Sequence, residues 1–318
     1  MQKWKDVLRS NFTDLKKLLA YLEIEDSFKF LPSPRFRLNV PMRLAEKMAK
    51  GELNDPLLKQ FVPFKEEGEV RPGFEADPVQ DQSFVKTEKL LQKYSQRALV
   101  ISTSACAMHC RYCFRQNFPY ESERKDFHQE VEVVANNPMI KEVILSGGDP
   151  LSLPDSKLKP LLMALDEIPH VKRIRFHSRF VVGIPERVDD SFLSLLSSLK
   201  TQVWFVTHIN HAKELDDDIF AALKRLQRLG IPVMNQAVLL KGVNDSVQAL
   251  KELSDALADN GVVFYYLHQL DRVKGAHHFE VDRPLGKQLI HELQALGSGY
   301  QVPKYVEEIA GESSKTLI

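Results

Sequence analysis

The sequence predicts an α/β fold: a partial (β/α)6 TIM-like barrel with an N-terminal helical extension and a C-terminal segment that carries a lysine. Three observations lead there. Six short β-branched runs, at 98–103, 142–146, 173–177, 203–207, 232–238 and 262–267, recur about every 30 residues after the first gap, the length of a βαβ unit. Amphipathic helical segments separate them, as at 216–229, where Ile219, Leu223, Leu226 and Leu229 share one face before Gly230 and Pro232 end the helix. Each run is followed by polar, chemically active residues. That recurrence favours a barrel over an open doubly wound sheet, because barrel active sites lie at the C-terminal mouth of the strands.

Taken in order, residues 1–60 read as helices, with Trp4, Val7, Leu8, Leu15, Leu18, Leu19 and Leu22 at helical spacing and Pro41 opening a further stretch through Leu44 and Met48. Residues 55–83 hold Pro56, Pro63, Pro72, Gly73 and Pro78 among many acids and read as an extended connection over the surface. The six strand–helix units follow, then a helix over 284–296 and a polar tail. The domain boundaries are 1–95 for the helical region and connection, 96–283 for the partial barrel, and 284–318 for the last helix and the lysine-bearing tail.

A chain of 318 residues, 43% hydrophobic, can bury a substantial core. A formal net charge of zero gives no reason for general affinity to nucleic acid or to a membrane surface. The first residues alternate charged with apolar side chains, unlike a signal peptide, and no run of about 18 apolar residues occurs. The expected location is the cytoplasm, where thiols stay reduced.

All three cysteines of the chain fall within one short stretch, Cys106, Cys110 and Cys113, in the spacing C-x3-C-x2-C. Such crowding argues for a shared metal. Structural zinc is closed by four protein ligands, and iron–sulfur clusters are usually held by four cysteines. Three thiolates on a cubane would leave one iron open to a substrate or cofactor. Zinc and inert buried thiols are the alternatives, the latter weakened because His109, Arg111 and Arg115 lie among the cysteines and positive charge favours thiolate.

Other candidates stand at strand ends. Gly147 and Gly148, before Asp149, lack a Cβ where backbone must approach closely, although a Gly-Gly-Asp sequence is often only a turn. Arg115, Arg175 and Arg179 could grip an anion or form ordinary ion pairs. His177, His208 and His211 could act as acid–base groups or simply be satisfied polar residues. Asp271 ends a very apolar strand and calls for a cation, either a substrate ammonium or Arg272 or Lys274. Lys315, in Glu-Ser-Ser-Lys-Thr, reads locally as a solvated tail residue, though lysine amines do form imines.

The cysteine loop, with Tyr112 before its last cysteine, resembles the signature of radical S-adenosylmethionine enzymes. Its combination with Ser146–Pro150, His208–His211, Asn235–Asp245, Asp271, His278-Phe279 and Ser314–Thr316 looks like the lysine 2,3-aminomutase family, nearest the branch that supplies β-lysine for elongation factor P. The resemblance spans nearly the whole chain and implies a barrel of the radical SAM type. It implies a [4Fe-4S] cluster on Cys106, Cys110 and Cys113, with S-adenosylmethionine chelating the fourth iron and its amino group received by Gly147, Gly148 and Asp149. It also implies pyridoxal 5'-phosphate bound as an imine to Lys315, with Gln236 against the cofactors, Arg115 on the substrate carboxylate and Asp271 on the ε-ammonium. The implied reaction turns (S)-α-lysine into (R)-β-lysine. Implied partners are elongation factor P, its β-lysine ligase and an electron donor such as flavodoxin or ferredoxin, with no nucleic acid and no membrane.

Two features depart from the free-lysine enzymes of that family. Those carry a second aspartate seven places before the imine lysine, with a glycine run between them; here Glu308 stands there, a substrate-binding candidate with Arg115 and Asp271 but of altered reach, followed by Ile-Ala-Gly-Glu-Ser-Ser. They also have extra C-terminal cysteines that bind an interface zinc, and this sequence has none. The rival readings are the same chemistry on another amino acid such as glutamate, disfavoured by Asp271, and a zinc-binding RNA- or protein-interaction module.

Overall fold

A computed structural model describes residues 3–120 and 124–318. Ten strands form one sheet in chain order: β1 (Val85–Thr87), β2 (Leu90–Tyr94), β3 (Arg97–Thr103), β4 (Glu142–Gly147), β5 (Arg173–Ser178), β6 (Gln202–His208), β7 (Val233–Val238), β8 (Val263–His268), β9 (Lys304–Glu307) and β10 (Thr316–Leu317). The six predicted runs are β3 to β8, each paired parallel with the next, as the partial barrel requires. Apolar strand residues such as Val100, Val143, Ile174, Phe205 and Leu267, on the face turned away from the barrel interior, are buried.

The sheet runs past those six strands at both ends. A hairpin, β1 and β2, joins β3 antiparallel, while β9 adds a further parallel strand and β10 folds back on it. The tail read from sequence as merely polar therefore contains sheet, with Tyr305 and Val306 buried.

Among the described residues eleven α-helices accompany the sheet, besides short 3-10 turns: α1 (Lys3–Arg9), α2 (Leu15–Tyr21), α3 (Met42–Lys47), α4 (Pro56–Phe61), α5 (His128–Ala135), α6 (Asp155–Asp166), α7 (Phe180–Gly183), α8 (Asp190–Ser197), α9 (Asp217–Gln227), α10 (Val247–Asp259) and α11 (Arg283–Leu296). Several start on side-chain caps: Asp216 accepts from Ile219 N at 3.0 Å, Ser246 from Ala249 N at 3.2 Å and Asp189 from Phe192 N at 2.9 Å. Among the described residues no helix is long and apolar enough to cross a membrane.

The proline-rich stretch at 55–83 departs from its reading as a surface connection. It opens with α4, whose Leu57, Leu58 and Phe61 are fully buried. Pro56 occupies the first turn, where its missing N–H costs nothing, and Asp55 caps the helix by accepting from Leu57 N and Leu58 N at 2.8 and 3.0 Å. Farther on, Val79 and Asp81 are buried as well. The stretch delivers side chains to the barrel mouth.

Candidate active site

The cysteine loop leaves β3 and is held from outside by the N-terminal extension. Asn11 donates to the carbonyl of Ala107 at 2.7 Å and Asn39 to that of Cys106 at 3.1 Å. The backbone N–H groups of His109 and Arg111 reach the carbonyls of Asn39 and Gln60, at 3.0 and 2.9 Å. The helical extension, which carries no chemical motif of its own, thus fixes the loop that does.

From the barrel side the loop is met by the turn after β4. The N–H of Gly148 donates to Thr103 O at 2.6 Å and that of Asp149 to Ala105 O at 2.8 Å. A Cβ on Gly148 would lie 2.4 Å from Ala105 O, and one on Gly147, whose φ is +110°, 2.8 Å from Thr103 O. Both glycines are required by this approach of two loops. The carboxylate of Asp149 is buried and accepts from Ser178 Oγ, Leu151 N and Arg179 N at 2.8, 3.0 and 2.7 Å, so it fixes the turn. Burial raises its pKa to about 6 despite these donors.

All three cysteines are free, half-buried and line one cavity of about 460 Å³ at the barrel mouth. The same cavity is lined by Gly147, Gly148, Asp149, Arg115, Gln236, Asp271, Glu308 and Lys315, and by Arg175, Arg179, His177 and His208; of the candidates at the strand ends, His211 does not line it. Burial pushes the Cys106 thiol well above its ordinary pKa, and burial with neighbouring Cys110 pushes Cys113 to about 11. Among the described residues no three His, Cys, Asp or Glu side chains stand in a preassembled single-ion site. Their chemistry fits a cluster: three reduced thiols on one loop, facing one cavity, with a cation donating to one of them.

That cation is Arg179, and it is not free for an anion. Its guanidinium donates to Cys110 Sγ at 2.9 Å, Gln60 Oε1 at 2.8 Å and Glu214 Oε2 at 2.6 Å. Glu214 in turn accepts from the N–H groups of Asn210 and His211 at 2.9 and 3.0 Å, while Asn210 donates to Tyr112 Oη at 2.6 Å. Arg175 pairs with Glu142 at 3.1 Å. His211 accepts from Lys213 N at 3.1 Å and serves as a cap. His177, His208 and His268 line the cavity, and burial holds all three well below the ordinary histidine pKa, so they are neutral imidazoles.

On the opposite wall, charged groups alternate in a ladder. Lys315 Nζ lies 2.7 Å from Glu308 Oε2, and Tyr94 donates to both Glu308 oxygens at 2.9 and 3.1 Å. Lys93 lies 3.8 Å from Glu308 and 2.9 Å from Asp81, and Arg115 Nε donates to Asp81 Oδ2 at 2.7 Å. Burial alone would raise the Asp81 and Glu308 pKa values, but their cationic neighbours hold both below the ordinary range. Arg115 keeps its two terminal nitrogens without a protein partner among the described residues. Arg97 lines the same wall over the Tyr94 ring, 4.2 Å from its centroid, with no carboxylate partner among the described residues.

Asp271 accepts no side-chain hydrogen bond among the described residues. Burial raises its pKa to about 6, against the opposing charges of Lys315 and, less, Lys93. Arg272 turns away to Glu280 at 2.6 Å, so of the cations the sequence offered, a substrate ammonium, Arg272 or Lys274, it is not the partner. Sequence reasoning missed Asp81, Lys93, Tyr94, Arg97, Gln60 and Glu214. Their only signal was ordinary polarity, scattered far along the chain from the residues they hold.

Residues 100–253 match the Radical SAM superfamily. The L-lysine 2,3-aminomutase of Escherichia coli (strain K12) is 42% identical over 320 residues, covering 98% of this chain and 93% of the relative. That of Haemophilus influenzae is 41% identical over 322 residues, covering 99% and 95%. The L-lysine 2,3-aminomutase of Clostridium subterminale is 34% identical over 269 residues, covering 83% of this chain and 64% of that longer protein. A solved radical SAM methyltransferase from Sphaerobacter thermophilus shares the fold, with a TM-score of 0.50 at 18% identity over 68% of each chain. Likeness running from the N-terminal extension through the barrel to the tail places the chain in the radical SAM lysine 2,3-aminomutase family, isomerases that work with a [4Fe-4S] cluster, S-adenosylmethionine and pyridoxal phosphate.

Proposed function

We propose that this protein is a cytoplasmic L-lysine 2,3-aminomutase that converts (S)-α-lysine to (R)-β-lysine, which a partner ligase then joins to elongation factor P. The observation that carries the reading is the meeting, in one cavity of about 460 Å³, of three free thiols with a lysine amine and a buried aspartate that accepts no side-chain hydrogen bond among the described residues. The elongation factor P assignment rests on the resemblance to that branch; near end-to-end likeness to the E. coli and H. influenzae relatives is consistent with it.

When bound, the cluster with S-adenosylmethionine supplies a hydrogen-abstracting radical, and pyridoxal phosphate supplies the carbonyl that takes up the migrating amino group. Cys106, Cys110 and Cys113 would hold the cluster, with the Gly147–Gly148 backbone alongside. Lys315 would hold pyridoxal phosphate, and Arg97, a cation without a carboxylate partner among the described residues, fits its phosphate. Glu308, 2.7 Å from Lys315 Nζ, accepts the proton the amine must lose before it can act as a nucleophile. The free fork of Arg115 suits the substrate carboxylate, while Asp271 suits a terminal ammonium and would repel the carboxylate of glutamate. Gln236 offers a neutral amide to the same space.

The test is an anaerobic assay of the chain reconstituted with iron, sulfide and pyridoxal phosphate, offered free lysine, glutamate and α-lysylated elongation factor P. The expected product is β-lysine from free lysine. β-Glutamate alone would overturn the substrate, turnover of only the modified factor would overturn the free-lysine reading, and stoichiometric zinc in place of iron would overturn the chemistry.

A further inference from the structure

We propose that a lysine-rich cleft behind the cysteine loop is the docking surface for an anionic one-electron carrier that reduces the cluster. The inference rests on the cluster reading above and adds where its electron enters. The cleft encloses about 680 Å³, and none of its lining residues is shared with the active-site cavity. Lys29, Lys59, Lys65 and Lys241 line it against Glu66 and Asp245, in a chain whose net charge is zero. Asp245 accepts from Gly242 N at 2.9 Å, and Lys29 lies 3.6 Å from Asp26. Lys59, Lys65 and Lys241 have no carboxylate partner among the described residues. His278 also lines the cleft, both of its ring nitrogens buried without a hydrogen-bond partner.

The cleft backs directly onto the cysteine loop. Phe279, which helps to line it, meets Tyr112 edge-on with ring centroids 6.0 Å apart, and Tyr112 stands between Cys110 and Cys113 in the chain. Lys59 precedes Gln60, whose carbonyl accepts from Arg111 N at 2.9 Å. Lys65 lies two residues before Glu67, whose carboxylate takes two hydrogen bonds from Arg111 at 2.9 and 2.5 Å. The N–H of Lys241 donates to Phe279 O at 2.9 Å. The three unpaired cations therefore ride on backbone joined to the loop or to the aromatic wall behind it. A cleft with an excess of positive charge draws oppositely charged partners and orients them, and the two packed rings lie between the cleft and the loop. In the transfer the carrier loses one electron and the cluster gains it; no covalent bond is made or broken.

The test uses the full chain reconstituted anaerobically with iron and sulfide, and reduced flavodoxin, an acidic flavin carrier, as the probe. Stopped-flow bleaching of the cluster by flavodoxin should slow by about tenfold or more when Lys59→Glu, Lys65→Glu and Lys241→Glu are combined, and the wild-type rate should fall as salt is added. Bleaching by dithionite, which needs no docking, should stay within about twofold in the same variant. The neutral set Lys59→Gln, Lys65→Gln and Lys241→Gln should give an intermediate rate with wild-type circular dichroism and iron content, separating docking from misfolding. Flavodoxin rates equal to wild type in both sets overturn the docking surface and leave the cluster reading intact. A chain that takes up no iron and sulfide overturns both.

Discussion

Lys315 Nζ and Glu308 Oε2 lie 2.7 Å apart, a pair spanning only seven residues of tail yet anchored by Tyr94 from the other end of the sheet. The carboxylate stands where it can take the proton that the amine must lose before it can form an imine.

Borohydride reduction of the pyridoxal-loaded protein should therefore fix the label on the Lys315 peptide, and Lys315→Ala should abolish it. A label on a different lysine defeats the assignment. Glu308→Ala should cut kcat/KM for lysine on the order of 100-fold, in the range for lost proton transfer, with iron content unchanged.

Asp271 has its pKa raised to about 6 by burial. Its carboxylate gains charge, and so attraction for an ammonium, as pH rises through that value. The KM for lysine should fall across this window in the wild type and lose that dependence in Asp271→Asn. In the ligand-free protein the raised pKa adds stability that is fully present below the unfolded-state pKa and lost as pH rises through about 6. Asp271→Asn should consequently raise the melting temperature at pH 8 relative to wild type, with no gain at pH 3.

Gly148→Ala places a Cβ 2.4 Å from the backbone oxygen of Ala105, an atom that cannot swing aside. The cost should be about 3 kcal/mol, as for forced overpacking. Displacement of the cysteine loop should lower iron retained per chain after reconstitution. A variant with normal iron content would mean the two loops can separate without consequence.

Arg179 touches Cys110 Sγ at 2.9 Å and Glu214 at 2.6 Å, and Glu214 is fully buried. Arg179→Met leaves that carboxylate unpaired and should destabilise the fold by about 3–5 kcal/mol in thermal denaturation. Arg179→Lys keeps a charge but not the fork. Loss of its hydrogen bond to sulfur should make the cluster harder to reduce, seen as a more negative midpoint in an EPR-monitored titration.

The six barrel strands were legible because β-branched runs at a steady period leave few alternatives. β9 was not, since Lys304–Glu307 is four residues long and sits among polar neighbours. α4 fell where the reading of helices to about residue 60 overlapped that of a connection from 55, because prolines mark a loop in composition but a helix start when one falls in the first turn. At the site, cysteines, glycines and the strand-ending aspartate announce themselves through chemistry carried at one position. Tyr94 does not: its meaning lies in a contact with Glu308, 214 residues away. Asp81 likewise reads as a surface acid until it is found between Lys93 and Arg115.

The barrel wall is an incomplete ring, since among the described strands β1 and β10 are the two ends of the sheet and do not pair. Near that gap, Tyr94 and Lys93 of β2 reach Glu308 just past β9, a clasp of side chains in place of a backbone ladder. One member of the clasp is the carboxylate that also holds Lys315. Any change in the charge of that amine is thus felt at the fastening of the ring, which ties occupancy of the interior to how firmly its two ends are joined.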